Sequence, residues 1–176
     1  MRVFGLVAAV LASSSIAVEA RTPGPIAPSS LGKLQCYAPD VTRKTCQSLA
    51  SYRPNPKGGI DNVAVVLVAT RPPIAMQTVS HVDVREGQVC GVVRPEDFQS
   101  AEFTTEGQPI DPEQTALLRE KVLSAMKTYI GHEICTSFVP NGGSLLAKES
   151  IDGVADPSLD ERVIWIAPTD GYTVTR

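Results

Sequence analysis

Aromatic side chains are scarce in this sequence: 176 residues carry one Trp, four Tyr and four Phe, and only two His. A sugar-binding cleft needs stacking rings, so the supply for one is thin. Two imidazoles leave little room for His-based acid–base chemistry. No Cys-x-x-Cys pair occurs, which argues against zinc. No Gly-x-Ser-x-Gly elbow occurs either, which argues against a serine hydrolase of that type. Gly58-Gly59 and Gly142-Gly143 lack the Lys-Ser/Thr and helix of a phosphate loop. Basic clusters are missing as well. The longest is Arg43-Lys44, and the formal net charge is -3, so no surface is built for a phosphate backbone and nucleic acid is not an expected partner. Past residue 20, no segment is long and apolar enough to cross a bilayer.

What is present begins with an export signal. Arg2 supplies a positive start, Val3 to Leu11 is almost wholly apolar, and the stretch ends at Val18-Glu19-Ala20 with small residues where a signal peptidase reads. The apolar core is about ten residues, half of what spans a membrane. Residues 1–20 are therefore expected to be a signal peptide cleaved after Ala20. Residues 21–32, with three prolines before Leu31, read as a flexible leader with too little apolar content to pack. Residues 33–176 form a single domain of ordinary size. The expected location is periplasmic or extracellular, with no stable membrane insertion after the signal is removed.

Four cysteines remain in that domain: Cys36, Cys46, Cys90 and Cys135. An even count in an exported chain favours disulfides. Three pairings are open. The local loop favours Cys36–Cys46, which leaves Cys90–Cys135. Oxidation would also consume any thiol nucleophile.

The periodicity predicts an α+β fold: an antiparallel sheet of about 5–7 strands, a short helix over about 41–50 and a long helix over about 112–130 packed across the sheet. Asp40 is read as the cap of the short helix. For the long helix, Asp111 caps, Pro112 takes the first helical position, and Gly131 ends it. Leu118, Val122, Ala125, Met126 and Tyr129, widened by Leu117, Leu123 and Ile130, make its core stripe. Strands are expected at Val63–Ala69, from Ile74 through the Glu86-Gly87 turn to Val93, at Glu133–Val139, Ser144–Ile151 and Arg162–Ala167. Glu102 to Ile110 reads as a short strand and turn.

Three segments, LQCYAPDVTRKTC, GHEICTSFVP and DERVIWI followed by DGYTV, give a resemblance that covers most of the domain. The chain resembles an uncharacterised family of small exported alphaproteobacterial proteins with a CYxPDxxxKTC opening. The resemblance implies no activity and carries no functional residues with it.

The candidate chemistry is thin. His132-Glu133 starts like a zinc-protease helix, but Thr136 stands where the second His belongs. Ser144 follows a turn and reads as a loop serine. His81 lies in a strand. Acids gather in two regions: Glu96, Asp97, Glu102, Glu106 and Asp111, then Asp152, Asp156, Asp160 and Glu161. Solvated loops and caps account for both. In the second region, the spacing of four and the interrupting Pro157 do not make a calcium loop. No catalytic, cofactor-binding or metal-binding residue is assigned, and no cofactor is expected. The expected function is a non-catalytic exported binding or envelope accessory protein whose partner is a protein or an envelope ligand. A small exported hydrolase using a carboxylate pair is the alternative.

Overall fold

The computed structural model describes residues 24–175, so the signal peptide and its cleavage after Ala20 lie outside the described residues. The elements run β1 (Leu34–Tyr37), β2 (Thr45–Cys46), β3 (Ser48–Pro54), β4 (Ile60–Thr70), β5 (Pro73–Arg85), β6 (Gln88–Val92), α1 (Pro95–Gln99), β7 (Glu102–Thr105), β8 (Gln108–Pro109), α2 (Pro112–Ala125), β9 (Glu133–Asn141), β10 (Ser144–Ile151), β11 (Val154–Ala155), β12 (Glu161–Ile166) and β13 (Thr173–Val174). Two disulfides, Cys36–Cys46 and Cys90–Cys135, join the favoured pairs. Such bonds belong to an oxidising environment.

The expected α+β sheet of 5–7 strands is not what forms. Eight strands close into an antiparallel β-barrel in the order β1, β3, β4, β5, β6, β9, β10, β12 and back to β1. Each strand pairs with the next barrel strand along the chain, and the closing pair sets Gln35 opposite Trp165 and Tyr37 opposite Val163. Closure removes the two open edges that a flat sheet would leave. β5 is the longest strand, at 13 residues. One edge pairs with β4 along its length; the other pairs first with β7 at Ile74–Gln77 and then with β6 at Asp83–Arg85. The hairpin turns follow from sequence. Glu86 and Gly87, at φ 51° and 77°, supply the two left-handed residues of a two-residue turn, and Asp152-Gly153 does the same between β10 and β11.

The helix expected at 41–50 is replaced by a turn and two strands. Asp40 does act as a cap: its Oδ1 accepts from the backbone N–H of Thr42 and Arg43 at 3.0 and 2.9 Å. The turn then folds back instead of propagating. Lys44 takes φ 54°, and Asp40 and Thr45 exchange backbone hydrogen bonds. An Asx turn satisfies the same amides as a helix start without committing the residues beyond it. The disulfide to Cys36 and the pairing of β3 with β1 then hold 45–50 extended.

The helix expected over 112–130 is α2, and it stops at Ala125; residues 126–131 continue as turns. Its start is as expected, with the Asp111 carboxylate accepting from Gln114 N–H at 3.0 Å. It does not lie across a sheet. Leu118, Val122, Leu123 and Met126 pack with α1 and β7 on a cluster of Met76, Phe98, Ala101 and Phe103, where β5 runs past β6. A closed barrel offers no flat apolar face for a long helix, so Leu117 is left 54% exposed. An Asp111→Ala variant should lose about 1 kcal/mol of stability, seen as a thermal midpoint lower by about 2–4 °C.

Alternation along the strands sorts side chains into lumen and outer face. Ala50, Tyr52, Met76, Thr78, Val82, Val89, Ala147 and Val163 face inward and are buried. Outward positions carry Asp61, His81, Asp83, Arg85, Lys148 and Arg162, a face suited to water. A second core lies outside the barrel wall. There Cys36, Cys46 and Ile166 are covered by Leu34, Leu49, Ile164 and Tyr172, with β13 pairing parallel to β2. Within the segment read as a leader, Ala27–Leu31 forms a 3₁₀ turn, and Ile26 packs on the lumen cluster of Tyr52, Val82 and Val89. Ile26 thus ties to the barrel a segment whose composition reads as too poor in apolar residues to pack. Among the described residues, no helix is long and apolar enough to cross a membrane.

Candidate functional site

One half of the lumen is filled by apolar side chains. Tyr52, Val82 and Val89 meet Ile60, Phe138 and Trp165 there, with Ile26 against them. The other half is a cavity of about 220 Å³. Its wall is built from inward positions of neighbouring strands: Tyr37 from β1, Tyr52 from β3, Asn62 from β4, Thr78 and Ser80 from β5, and Thr136 from β9. Val93, Asp97, Phe98 and Met126 form a partial roof. The short α1 turn places that roof: Phe98 is buried with Met76, Ala101 and Phe103, and Asp97, one residue before it, reaches the cavity.

The polar groups of the wall form a linked set. Gln35 is fully buried, and its Oε1 accepts from the Tyr52 hydroxyl at 2.9 Å and the Tyr37 hydroxyl at 3.1 Å. Its Nε2 has no partner among the described residues. Turning the amide over would leave its oxygen unpartnered instead, because the hydroxyls meet one end only. An unsatisfied buried amide group costs about 1–3 kcal/mol. Burial pushes the Tyr37 hydroxyl well above its ordinary value, and the nearby Tyr52 and Glu149 push the same way. Tyr52 is pushed up to about 12, again by burial, with Asn62 and Tyr37 partly offsetting it.

Glu149 on β10 lies directly across from Thr136, on the same inward face as Ala147. Thr136 Oγ1 donates to its two carboxylate oxygens at 2.9 and 3.1 Å. Burial, with Asp160 and Glu161 close by, raises its pKa from 4.5 to about 7, against the Thr136 hydrogen bond. Asp97 is also raised, by burial first, while Ser80 and Arg94 hold it back. Among the described residues, no Lys, Arg or His lines the cavity.

The other residues singled out in the sequence lie elsewhere. His81 is on the outer wall, Nδ1 3.2 Å from Asn55 Nδ2 and Nε2 3.9 Å from Asp83, with its ring against Gly59. His132 sits at an exposed turn, its Nδ1 2.5 Å from the Asp152 carboxylate, which this contact holds below the usual range. The two histidines therefore have separate neighbours. Glu96, Glu102 and Glu106 are exposed, and Asp111 caps α2. Asp156 caps the turn at Ser158. Ser144 Oγ donates to the Asn141 carbonyl at 2.6 Å, as a turn serine does. From the first acidic region only Asp97 reaches the cavity; from the second, Asp160 and Glu161 stand beside Glu149.

Cys90, Glu133 and Cys135 come together on the outer wall. Both sulfurs are in the disulfide and Glu133 is ion-paired with Arg85, so neither thiolate nor free carboxylate is offered to a metal there.

Sequence reading missed Gln35, Tyr37, Tyr52, Asn62, Thr136 and Glu149. The available signal was polar residues at positions that alternate with apolar ones, and it becomes a site only once the barrel closes. No family model, curated protein or solved structure matches this chain.

Proposed function

We propose that this is a non-catalytic exported binding protein, periplasmic or extracellular, that holds a small polar ligand in the lumen of its barrel. The observation that carries the reading is the buried Gln35 amide, unsatisfied at one end beside the two hydroxyls of a cavity of about 220 Å³. Eight-stranded barrels are wide enough to hold one small ligand. The cavity falls below the roughly 300–1,000 Å³ of sites for drug-sized molecules, so the ligand is small. The disulfides support an exported location.

Ala64 lines the cavity and is the place to fill it. Protein purified from its oxidising compartment should carry a small-molecule adduct in a native mass spectrum. The Ala64→Phe variant, folded by circular dichroism, should lack it. A parent protein that shows only the bare polypeptide mass, and that no small polar compound stabilises thermally, would overturn the reading.

One observation favours the carboxylate-pair hydrolase: Glu149, raised to about 7, has Asp160 and Glu161 beside it. Hydrolysis of ester or glycoside reporters by the parent protein, lost in Glu149→Gln, would establish that reading; no turnover by the parent removes it.

A further inference from the structure

Resting on the lumen as the binding site, we infer that its ligand is a small organic ammonium ion that carries a hydrogen-bond acceptor at its other end. Three features of the cavity converge on this class. The first is charge. Asp97 roofs the cavity, Glu149 is hydrogen-bonded to the lining Thr136 from the same inward face, and among the described residues no Lys, Arg or His lines it. Arg94, which acts on Asp97, is itself exposed to solvent. An anion entering here would meet carboxylates with no lining cation to offset them, whereas an ammonium would meet acceptors.

The second is aromatic. Tyr37 and Tyr52 are the two phenol rings of the wall. Their faces attract a cation that has shed part of its water. The third is independent of charge. Gln35 is fully buried, its oxygen is used by both hydroxyls, and its Nε2 is a donor with no partner. Gln35 stands behind the lining hydroxyls and not on the cavity surface, so a ligand carbonyl or amide oxygen that pushes between them would accept from Nε2 and satisfy it. The raised pKa values of Asp97 and Glu149 agree: burial is the chief cause in both, and only Asp97 has a cation, Arg94, that partly offsets it.

Three amides of one shape test this by calorimetric titration and thermal shift at neutral pH. They are 4-aminobutanamide, with an ammonium; pentanamide, with a methyl in its place; and glutaramate, with a carboxylate there. The ammonium compound should bind at least about tenfold tighter than pentanamide, and glutaramate weakest. Asp97→Asn should weaken 4-aminobutanamide by about tenfold to a hundredfold and leave pentanamide unchanged. Gln35→Leu should weaken both. If Asp97→Asn does not fold, Glu149→Gln serves for the same comparison.

Pentanamide or glutaramate binding as tightly as the ammonium compound overturns the cation class. Ala64→Phe blocking that binding would leave the lumen reading standing. Failure of 4-aminobutanamide to bind also overturns the inference. The lumen reading falls with it only when the native mass spectrum shows no adduct.

Discussion

Replacing Cys90 and Cys135 together with alanine lowers the unfolding free energy by about 4 kcal/mol, measured by urea unfolding against the oxidised parent. The bond closes a loop with a sequence separation of 45, and most of the loss comes from the unfolded chain, which regains the freedom the link removes. In the folded barrel the same two residues already face each other across β6 and β9 in register, so the strands stay paired without the link. The matching Cys36 and Cys46 variant, with a separation of ten, should lose about 3 kcal/mol. A larger loss from the short loop than from the long one would show that the Cys90–Cys135 link does not act through the unfolded chain.

Glu149→Gln should be more stable than the parent at pH 8 and about equal to it at pH 4. The carboxyl is raised from 4.5 to about 7, chiefly by burial. A carboxyl whose folded-state pKa lies above its unfolded value holds its proton more tightly when folded. Its contribution is therefore full below about 4.5, falls as pH climbs to about 7, and is constant above. The groups facing it are Asp160, Glu161, the Thr136 hydroxyl, and the phenols of Tyr37 and Tyr52; the acids work with burial, and the Thr136 hydrogen bond against it. Glutamine keeps an acceptor for Thr136 and carries no charge at any pH. The difference at pH 8 should reach about 2–3 kcal/mol, read from denaturant midpoints at each pH. Parallel pH profiles for the two proteins would mean that Glu149 is solvated as an ordinary surface acid.

The local elements were largely legible. β-branched runs mark β4, β5 and β12, and left-handed turn residues such as Glu86-Gly87 mark the hairpins, because these depend on a few neighbouring backbone angles. The Asp111-Pro112 start of α2 is equally local. Asp40 shows where local reading fails. Its carboxylate satisfies the amides of Thr42 and Arg43 in a turn as well as in a helix, and only the pairing of β1 with β3 selects the turn. The candidate site was hidden for a related reason. Gln35, Tyr52, Asn62 and Glu149 come from four strands, and nothing in their spacing says that they face one another.

The chain alone favoured the pairing of Cys36 with Cys46 and of Cys90 with Cys135, and determined that short strands meet at tight turns. Those are matters of composition and of contacts between near neighbours. Tertiary structure decided that the strands close on themselves, because the last barrel strand meets the first only when the stagger between all eight is right. Closure then turned scattered polar residues inward and removed the flat face on which the long helix would have lain. It also set Glu149 near the two tyrosines that bond the Gln35 amide.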